Sequence, residues 1–219
     1  MLKVVVFDSG YGGEFFADLL GQFYPMLDIT RVIEWRDAVQ FLNNPRKARK
    51  LSQQALSPYI GKVDLIVLAN HLLSATSLKY FRRKFKNQQF VGFHLKQPDT
   101  FLQRNALIIT TKAVTKTLEY RHYILKTKRK FTVITPDSWS IKIDEGTLTR
   151  EEIIRTIYTK CHPDNIPGEI VLACSQFHDI KPVLKQIFGP SVRIYDSFTD
   201  AVRDTAKALR IRGGIPKQK

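Results

Sequence analysis

Two short segments of this chain share four apolar residues and then end in different polar side chains. Residues 66–70 read IVLAN, and residues 170–174 read IVLAC. The first copy therefore ends in a carboxamide, Asn70, and the second in a thiol, Cys174. A thiol can exchange a proton near neutral pH when its neighbours tune it, whereas a carboxamide only forms hydrogen bonds. Cys174 could therefore take part in chemistry that Asn70 could not, and a small buried cysteine at a strand end is the alternative interpretation.

Another polar pair follows the first apolar run of the chain. Residues 7–14 read FDSGYGGE, so a carboxylate, Asp8, and a hydroxyl, Ser9, precede a glycine-rich turn. Backbone N–H groups in such a turn could hold an anion. The segment lacks the Lys-Ser/Thr of a P-loop and the full GxGxxG spacing, so it is a weak signal for nucleotide binding. The alternative is a tight strand-to-helix turn whose glycines permit positive φ, which leaves Asp8 unexplained.

The elements around these residues must position them. Short apolar runs alternate with segments of helical period, which is typical of βαβ units and parallel sheets. Several runs are apolar at every position, as expected of strands covered by helices on both faces. We therefore predict an α/β fold. The predicted strands are 3–7, 30–35, 64–69, 90–95, 106–110, 131–135, 169–173 and 192–195, and the predicted helices are 13–24, 46–60, 76–87, 113–125, 149–160, 179–188 and 198–210.

The repeated IVLA run indicates a doubled fold. Asn70 and Cys174 each directly follow a predicted buried strand. Ligands bind beyond the carboxyl ends of strands in open α/β sheets. Two similar α/β halves could therefore bring these two strand ends to one cleft. The alternative is that a favourable buried-strand sequence arose twice.

Positive charge is the most unusual global property of the sequence. The chain of 219 residues has 35 Lys and Arg against 20 Asp and Glu, a formal net charge of +15. Such a balance favours anionic partners. Nucleic acid is one candidate, although no RNP, helix-turn-helix or zinc pattern supports it. The simpler alternative is a solvated surface in a generally basic proteome. The basic clusters lie at 79–86, 126–130 and 210–219.

Other features of the sequence predict a cytoplasmic protein with reduced thiols. Two cysteines, Cys161 and Cys174, provide neither a disulfide framework nor a CxxC metal site. The N-terminal residues enter a strand-like run without a secretory cleavage pattern. No stretch approaches the roughly 18 apolar residues that a membrane span requires. We therefore expect no membrane partner and no metal.

Several of these segments resemble the cofactor-independent aspartate/glutamate racemase family, and glutamate racemase most closely. The family opens with Asp-Ser-Gly-x-Gly-Gly, which matches residues 8–13. Its motif Ala-Cys-Asn-Thr-Ala-Ser-Ala corresponds to residues 69–75, ANHLLSA. Its motif Gly-Cys-Thr-His-Phe, followed by Leu-Lys-Pro, corresponds to ACSQF at 173–177 and IKP at 180–182. Residues 192–199 look like the family's last strand, so the likeness spans nearly the whole chain.

The resemblance implies both an architecture and a reaction. It implies two similar α/β domains with parallel sheets facing each other across a cleft, residues 1–95 plus 192–219 forming the first and 96–191 the second. In the family, one cysteine from each half acts at the Cα of a small acidic amino acid. One thiolate removes the proton and the other thiol returns it, without a cofactor. Family members often form homodimers, so a homodimer is one expected assembly.

The resemblance also assigns roles to residues at the two strand ends. Cys174 matches the second thiol and Asp8 the carboxylate that supports the first thiol, so these two are the catalytic candidates. Asn70, however, stands where the first thiol belongs, and Gln176 replaces the histidine that supports the second. The candidates for binding a small acidic amino acid or other carboxylate are Ser9, Asn70, His71, Thr111, Ser175 and Gln176.

Three functions remain open from these residues. The first is weak, one-handed racemase or isomerase activity through Cys174, because the departures argue against ordinary two-base racemisation. As alternative bases, His71 and His178 match no family role and are more simply explained as packing or surface residues. The second function is non-catalytic binding of a small carboxylate or a partner protein. The third is nucleic-acid binding through the basic helices.

Overall fold

Two four-stranded parallel sheets organise the chain, one in each of two units. The first unit comprises Met1–His94 and Ser197–Lys219, and the second comprises Leu95–Asp196. The predicted α/β class and the predicted doubling of the fold are confirmed. The computed structural model describes residues 1–34, 44–95, 106–127, 131–161 and 167–211.

In the first unit, helices cover both faces of the sheet. Strand residues Val4 and Val6 pack on one side and Val5 and Phe7 on the other, so residues 4–8 of the central strand are buried. The strands are β1 (Leu2–Asp8), β2 (Leu27–Ile33), β3 (Leu65–Leu68) and β4 (Gln89–Gly92), in the order β2-β1-β3-β4. The helices are α1 (Tyr11–Phe23) and α9 (Phe198–Ala208) on one face, and α2 (Pro45–Leu56) and α3 (His71–Lys84) on the other.

The second unit repeats this plan. Its core is a continuous apolar cluster that includes Leu107, Trp139, Leu172 and Phe177. The strands are β5 (Ala106–Thr110), β6 (Phe131–Ile134), β7 (Glu169–Ala173) and β8 (Arg193–Tyr195), in the order β6-β5-β7-β8. The helices are α4 (Lys112–Thr115), α5 (Leu118–Thr127), α6 (Asp137–Asp144), α7 (Arg150–Lys160) and α8 (Lys181–Phe188), with a 3₁₀ helix over Ser175–Ile180.

The duplicated IVLA run occupies equivalent strands of the two sheets. Both sheets have the same strand order, so β3 of the first corresponds to β7 of the second. Phe7 pairs with Leu68 in the first sheet, as Ile109 pairs with Leu172 in the second. Asn70 and Cys174 are therefore equivalent positions, each just beyond the carboxyl end of a central strand.

Some boundaries differ from the sequence prediction. Strand β8 lies in the second unit because it pairs with β7, whereas residues 192–196 were expected in the first domain. Helix α3 begins at His71 rather than at residue 76, and α6 was not predicted. The basic clusters at 126–130 and 210–219 extend beyond the described residues. No helix in the described part of the chain is long and apolar enough to cross a membrane.

Candidate functional site

Three predicted site residues of the first unit form one hydrogen-bonded group. Asp8 is fully buried at the end of β1, and Ser9 follows it. The Asn70 amide nitrogen donates to Asp8 Oδ1 at 2.8 Å and to Ser9 Oγ at 3.1 Å. The Ser9 backbone N–H also donates to Asp8 Oδ1, at 2.6 Å. The Asp8 carboxylate therefore accepts hydrogen bonds from two groups, the Asn70 amide and the Ser9 backbone N–H.

Asn70 also caps helix α3. Its Oδ1 accepts the Leu73 backbone N–H at 3.0 Å, which satisfies one of the N–H groups that a helix start leaves without a partner. This cap is the local reason why α3 begins at His71. Both ends of the carboxamide are thus engaged within the first unit, the oxygen by the helix and the nitrogen by Asp8 and Ser9.

The glycine-rich turn after Asp8 is explained by close packing. Gly10, Gly12 and Gly13 all lie in the described chain, and none of them has positive φ, so the explanation by positive φ is wrong. A Cβ at Gly13 would lie 2.4 Å from Asp8 Cβ and 2.9 Å from Ile33 Cδ1. Helix α1 therefore approaches the end of β1 so closely that only glycine fits at position 13.

His71 is buried and joins two elements of the first unit. Its Nε2 lies 2.8 Å from Ser197 Oγ, and the Ser197 hydroxyl donates to the His94 carbonyl at 2.7 Å. Because the serine hydrogen points to that carbonyl, the His71 Nε2 is the donor to Ser197. The ring also packs edge-on against Phe93, at 5.4 Å between centroids. These contacts give His71 a packing role, and its role in binding substrate stays a prediction.

In the second unit, the thiol of Cys174 is hydrogen-bonded to Gln176, the residue that is predicted to replace a histidine of the family motif. Cys174 Sγ donates to Gln176 Oε1 at 2.9 Å, and Ser175 Oγ donates to the same oxygen at 3.1 Å. The Cys174 side chain is nearly buried, with 8% of the residue exposed. The structure therefore brings Cys174, Ser175 and Gln176 together around one amide oxygen.

Asp144, at the end of α6, fixes the orientation of that amide. The Gln176 Nε2 donates to Asp144 Oδ2 at 3.4 Å. The opposite orientation would place the amide oxygen against the carboxylate, so the oxygen must face the thiol. A hydrogen bond donated by a thiol stabilises its protonated form relative to the thiolate. The hydrogen bond to Gln176 therefore favours the thiol of Cys174 over the thiolate.

The neighbouring strand end contributes two threonines. Thr111 Oγ1 accepts the Val114 backbone N–H at 3.4 Å and so caps α4. The Thr110 hydroxyl donates to the carbonyl of Ala173, the residue before Cys174, at 3.1 Å. Sequence reasoning missed both Thr110 and Asp144. The repeat could have pointed to Thr110, because it is the counterpart of Asp8, whereas Asp144 lies far from Gln176 in sequence and no motif marks it.

A second polar cluster of this unit surrounds Asp196. His178 Nδ1 donates to Asp196 Oδ2 at 2.9 Å, and Lys181 forms an ion pair with the same oxygen. Burial would raise the pKa of Asp196, but the His178 hydrogen bond and the Lys181 charge bring it below its ordinary value of 3.8.

Cys161 is also buried, which raises the pKa of its thiol. The described residues contain no group of three or more His, Cys, Asp and Glu side chains that could hold a metal ion.

Comparison with known proteins relates the whole chain to one kind of enzyme. It is 24% identical over 224 residues to the glutamate racemase of Microcystis aeruginosa, covering 95% of this chain and 76% of that protein. It is 26% identical over 214 residues to the glutamate racemase of Clostridium perfringens, covering 93% and 81%. No family model matches the chain.

The chain is therefore similar to glutamate racemases over nearly its whole length.

A solved structure agrees with this sequence similarity at the level of the fold. Escherichia coli glutamate racemase, in complex with L-glutamate and the activator UDP-MurNAc-ala, superposes with a TM-score of 0.84 at 19% identity. The match covers 99% of this chain and 85% of that one. The family resemblance read from the motifs is confirmed. The correspondence of Asn70 and Cys174 to the family's two thiols stays a prediction.

Proposed function

We propose that this racemase-family protein exchanges the α-proton of a small acidic amino acid slowly and from one side, with Cys174 as its acid–base group. The site is degenerate in this proposal, because Asn70 replaces one of the two thiols. The observation that carries it is the position of Cys174, directly beyond a central strand and equivalent to Asn70. The other cysteine of the chain, Cys161, does not compete, since it follows helix α7 rather than the end of a strand.

One thiol can complete an exchange but not an efficient inversion. The Cys174 thiolate takes the α-proton, so the Cα–H bond breaks, an S–H bond forms and the electron pair stays on Cα. The S–H proton exchanges with solvent, and the thiol then returns a solvent proton to the same face. The configuration is therefore retained. Inversion also requires a second proton donor, and the carboxamide of Asn70, at the predicted position of the family's other thiol, cannot act as one.

The thiol environment accounts for the slowness that we propose. Gln176 Oε1 accepts the thiol proton, so forming the thiolate breaks this hydrogen bond and leaves a carbonyl oxygen against the negative sulfur. Asp144 adds a further negative charge behind the same amide. Neither neighbour is cationic. Each feature reduces the thiolate fraction, which is the reactive form of a cysteine.

Binding in this proposal uses hydroxyl and amide groups near the strand ends. Ser175 and Thr111 are the carboxylate-binding candidates of the second unit, and Ser9, Asn70 and His71 are those of the first. Each is tested by its alanine variant, with the ligand concentration needed for half-maximal thermal stabilisation as the readout. Glutamate is the first ligand to test, since the E. coli enzyme is bound to L-glutamate.

Deuterium incorporation tests the activity. The full chain is incubated in heavy water with L- or D-glutamate and L- or D-aspartate, and Cα–H loss is followed by NMR. We expect incorporation into one enantiomer only, with retained configuration, and loss of the signal in Cys174→Ser. Incorporation that survives in Cys174→Ser, or equal incorporation into both enantiomers, contradicts the proposal. Cys161→Ser is the matched control and should leave the rate unchanged.

The second candidate is a binding protein without turnover. It is favoured by two observations. Gln176 accepts a hydrogen bond from the Cys174 thiol, and both ends of the Asn70 amide are engaged, by Asp8, Ser9 and the α3 cap. This candidate predicts ligand-induced thermal stabilisation without any deuterium exchange. Cys174→Ser would then retain the stabilisation, because a hydroxyl can still donate to Gln176.

A further inference from the structure

Helices α2 and α3 of the first unit carry a disproportionate share of the positive charge. Residues 44–95 contain ten Lys and Arg but a single acidic residue, Asp64, so they contribute a net +9 of the chain's +15. Eight of these cations lie on the two helices, and one of them, Arg82, donates to the Phe90 carbonyl. The other seven are exposed, apart from the half-buried Arg49. We call this set the α2/α3 basic surface: Arg46, Lys47, Arg49, Lys50, Lys79, Arg83 and Lys84.

Polar contacts lock the two helices together at the centre of this surface. Lys84 Nζ donates to Gln53 Oε1 at 2.8 Å, and the Tyr80 hydroxyl donates to the same oxygen at 3.3 Å. The Arg49 guanidinium lies 4.9 Å from the centroid of the Tyr80 ring and donates to the Thr76 carbonyl. These contacts fix the two helices relative to each other, and the cations with them, which lowers the entropic cost of binding a partner.

The charges on α2 are unfavourable for the helix itself. Arg46 and Lys47 lie in its first turn, where the helix dipole is positive, and that turn has no acidic residue. The cations of α3 include Arg83 and Lys84 in the last turn, where the dipole favours them. Among the described residues, no acidic side chain forms an ion pair with any member of the α2/α3 basic surface. Helix stability therefore does not explain the α2 cations, whereas an anionic partner does.

The partner's chemistry follows from what the surface lacks. A helix that binds a membrane surface must offer an apolar face to the lipid. The large exposed apolar side chains of the described residues, such as Leu118 and Leu125, all lie outside α2 and α3. The large apolar residues of these helices, such as Leu56 and Phe81, are buried in the core. Single strands bind by stacking on exposed aromatic rings, whereas Tyr80 is partly buried beside Arg49 and Lys84.

We propose that the α2/α3 basic surface binds the phosphate backbone of double-stranded nucleic acid without reading its base sequence. Binding that neutralises phosphates releases counterions, so its affinity falls with salt concentration. This function is independent of Cys174 and of the proposed amino-acid chemistry. It gives the basic helices a role beyond that of a solvated surface.

The salt dependence of binding to a mixed-sequence DNA duplex tests the proposal. The full chain is titrated into a labelled duplex at several salt concentrations, and fluorescence polarisation gives the affinity. The test variant is Lys47→Gln/Lys50→Gln/Lys79→Gln. Each phosphate contact contributes about 0.9 to the slope of log affinity against log salt, so this variant should lower the slope by about 2–3.

A matched control variant distinguishes the loss of this surface from a general loss of positive charge. Lys116→Gln/Arg121→Gln/Lys126→Gln removes the same charge from exposed positions of the second unit and should leave the slope unchanged. Equal losses in the two variants, or a wild-type affinity that salt does not change, overturn the proposal. So does preferential binding to phosphatidylserine vesicles over the duplex. Thermal melting checks folding, and Lys47→Gln alone should raise the melting temperature, because it removes a cation from the start of α2.

Discussion

At the scale of single residues, Gln176 is the hydrogen-bond acceptor of the Cys174 thiol. Its oxygen accepts the thiol proton, and Asp144 holds the amide in that orientation. We predict that Gln176→His makes Cys174 roughly tenfold more reactive toward iodoacetamide at neutral pH, because an imidazole can accept the proton and stabilise the thiolate as a cation. The measurement is the alkylation rate, followed by mass spectrometry.

Gln176→Leu is the control for this substitution. It removes the amide without adding a base, so its reactivity should stay far below that of Gln176→His. If the two variants react equally fast, loss of the amide alone activates the thiol, and the role that we assign to Gln176 is wrong.

Asp196 provides a second prediction, on stability and pH. Burial acts to raise its pKa, but the contacts with His178 and Lys181 lower the pKa overall. A lowered pKa contributes stability above the unfolded-state pKa, and this contribution is lost as pH falls through the folded-state value. We therefore expect Asp196→Asn to cost about 2 kcal/mol at neutral pH, because the partly exposed His178 and Lys181 lose their carboxylate partner. Urea unfolding at neutral and acidic pH measures this.

The matched control is an ion pair on the surface. Glu152 accepts from Lys142 at 2.6 Å, but both side chains are partly exposed. Glu152→Gln should cost less than about 1 kcal/mol. The Asp196→Asn deficit should also shrink in acid, below about pH 4. A deficit that is constant with pH would mean that packing rather than charge explains the loss.

At the scale of elements, the same residue type starts two helices with different consequences. Asn44 caps α2 at an exposed position, whereas Asn70 caps α3 and also donates to the buried Asp8. We predict that Asn44→Ala costs about 1 kcal/mol, as caps usually do. Asn70→Ala should cost about 2–3 kcal/mol, because a buried carboxylate also loses a donor. Equal free energies of unfolding for the two variants would contradict this.

Helix α1 supplies a steric prediction through its two glycines. Gly13→Ala places a Cβ 2.4 Å from Asp8 Cβ, so α1 must move away from β1, at a cost of about 1–3 kcal/mol. Gly21 lies in the same helix, and its Cβ would meet Ile29 Cδ1 at an ordinary 3.7 Å. Gly21→Ala should therefore stabilise the protein by about 0.5–1 kcal/mol. In thermal melting, the melting temperature should fall for Gly13→Ala and rise for Gly21→Ala. A Gly13→Ala variant that is as stable as the wild type contradicts the prediction.

The sequence predicted those elements whose signal is local. Strands 106–110 and 169–173 match the structure because continuous apolar runs suffice to mark a doubly covered strand. The early start of α3 was missed because it depends on what the Asn70 side chain contacts. The role of Gly13 was misassigned, since it comes from a steric approach rather than from backbone torsion. Asp144 could not be predicted, because only folding brings it to Gln176.

At the scale of the whole molecule, the two units differ in how the chain builds them. Every member of the second unit's core cluster lies within residues 95–196, so that core is complete in one continuous segment. We predict that a fragment of residues 95–196 folds alone, with helical circular dichroism and cooperative unfolding in urea. A fragment of residues 1–94 should not, because it lacks α9. Non-cooperative unfolding of the 95–196 fragment would contradict the assignment of two independent cores.

The split of the first unit has a consequence for biosynthesis. Phe198 of α9 packs against Phe16 and Phe93, with ring centroids 6.0 and 5.2 Å apart. Those two rings leave the ribosome early, but their partner is translated only after the entire second unit. The half of the protein that is made first therefore matures last. Until then its apolar face is available to chaperones, and a nascent chain stalled before residue 198 carries one finished unit and one that still lacks its closing helix.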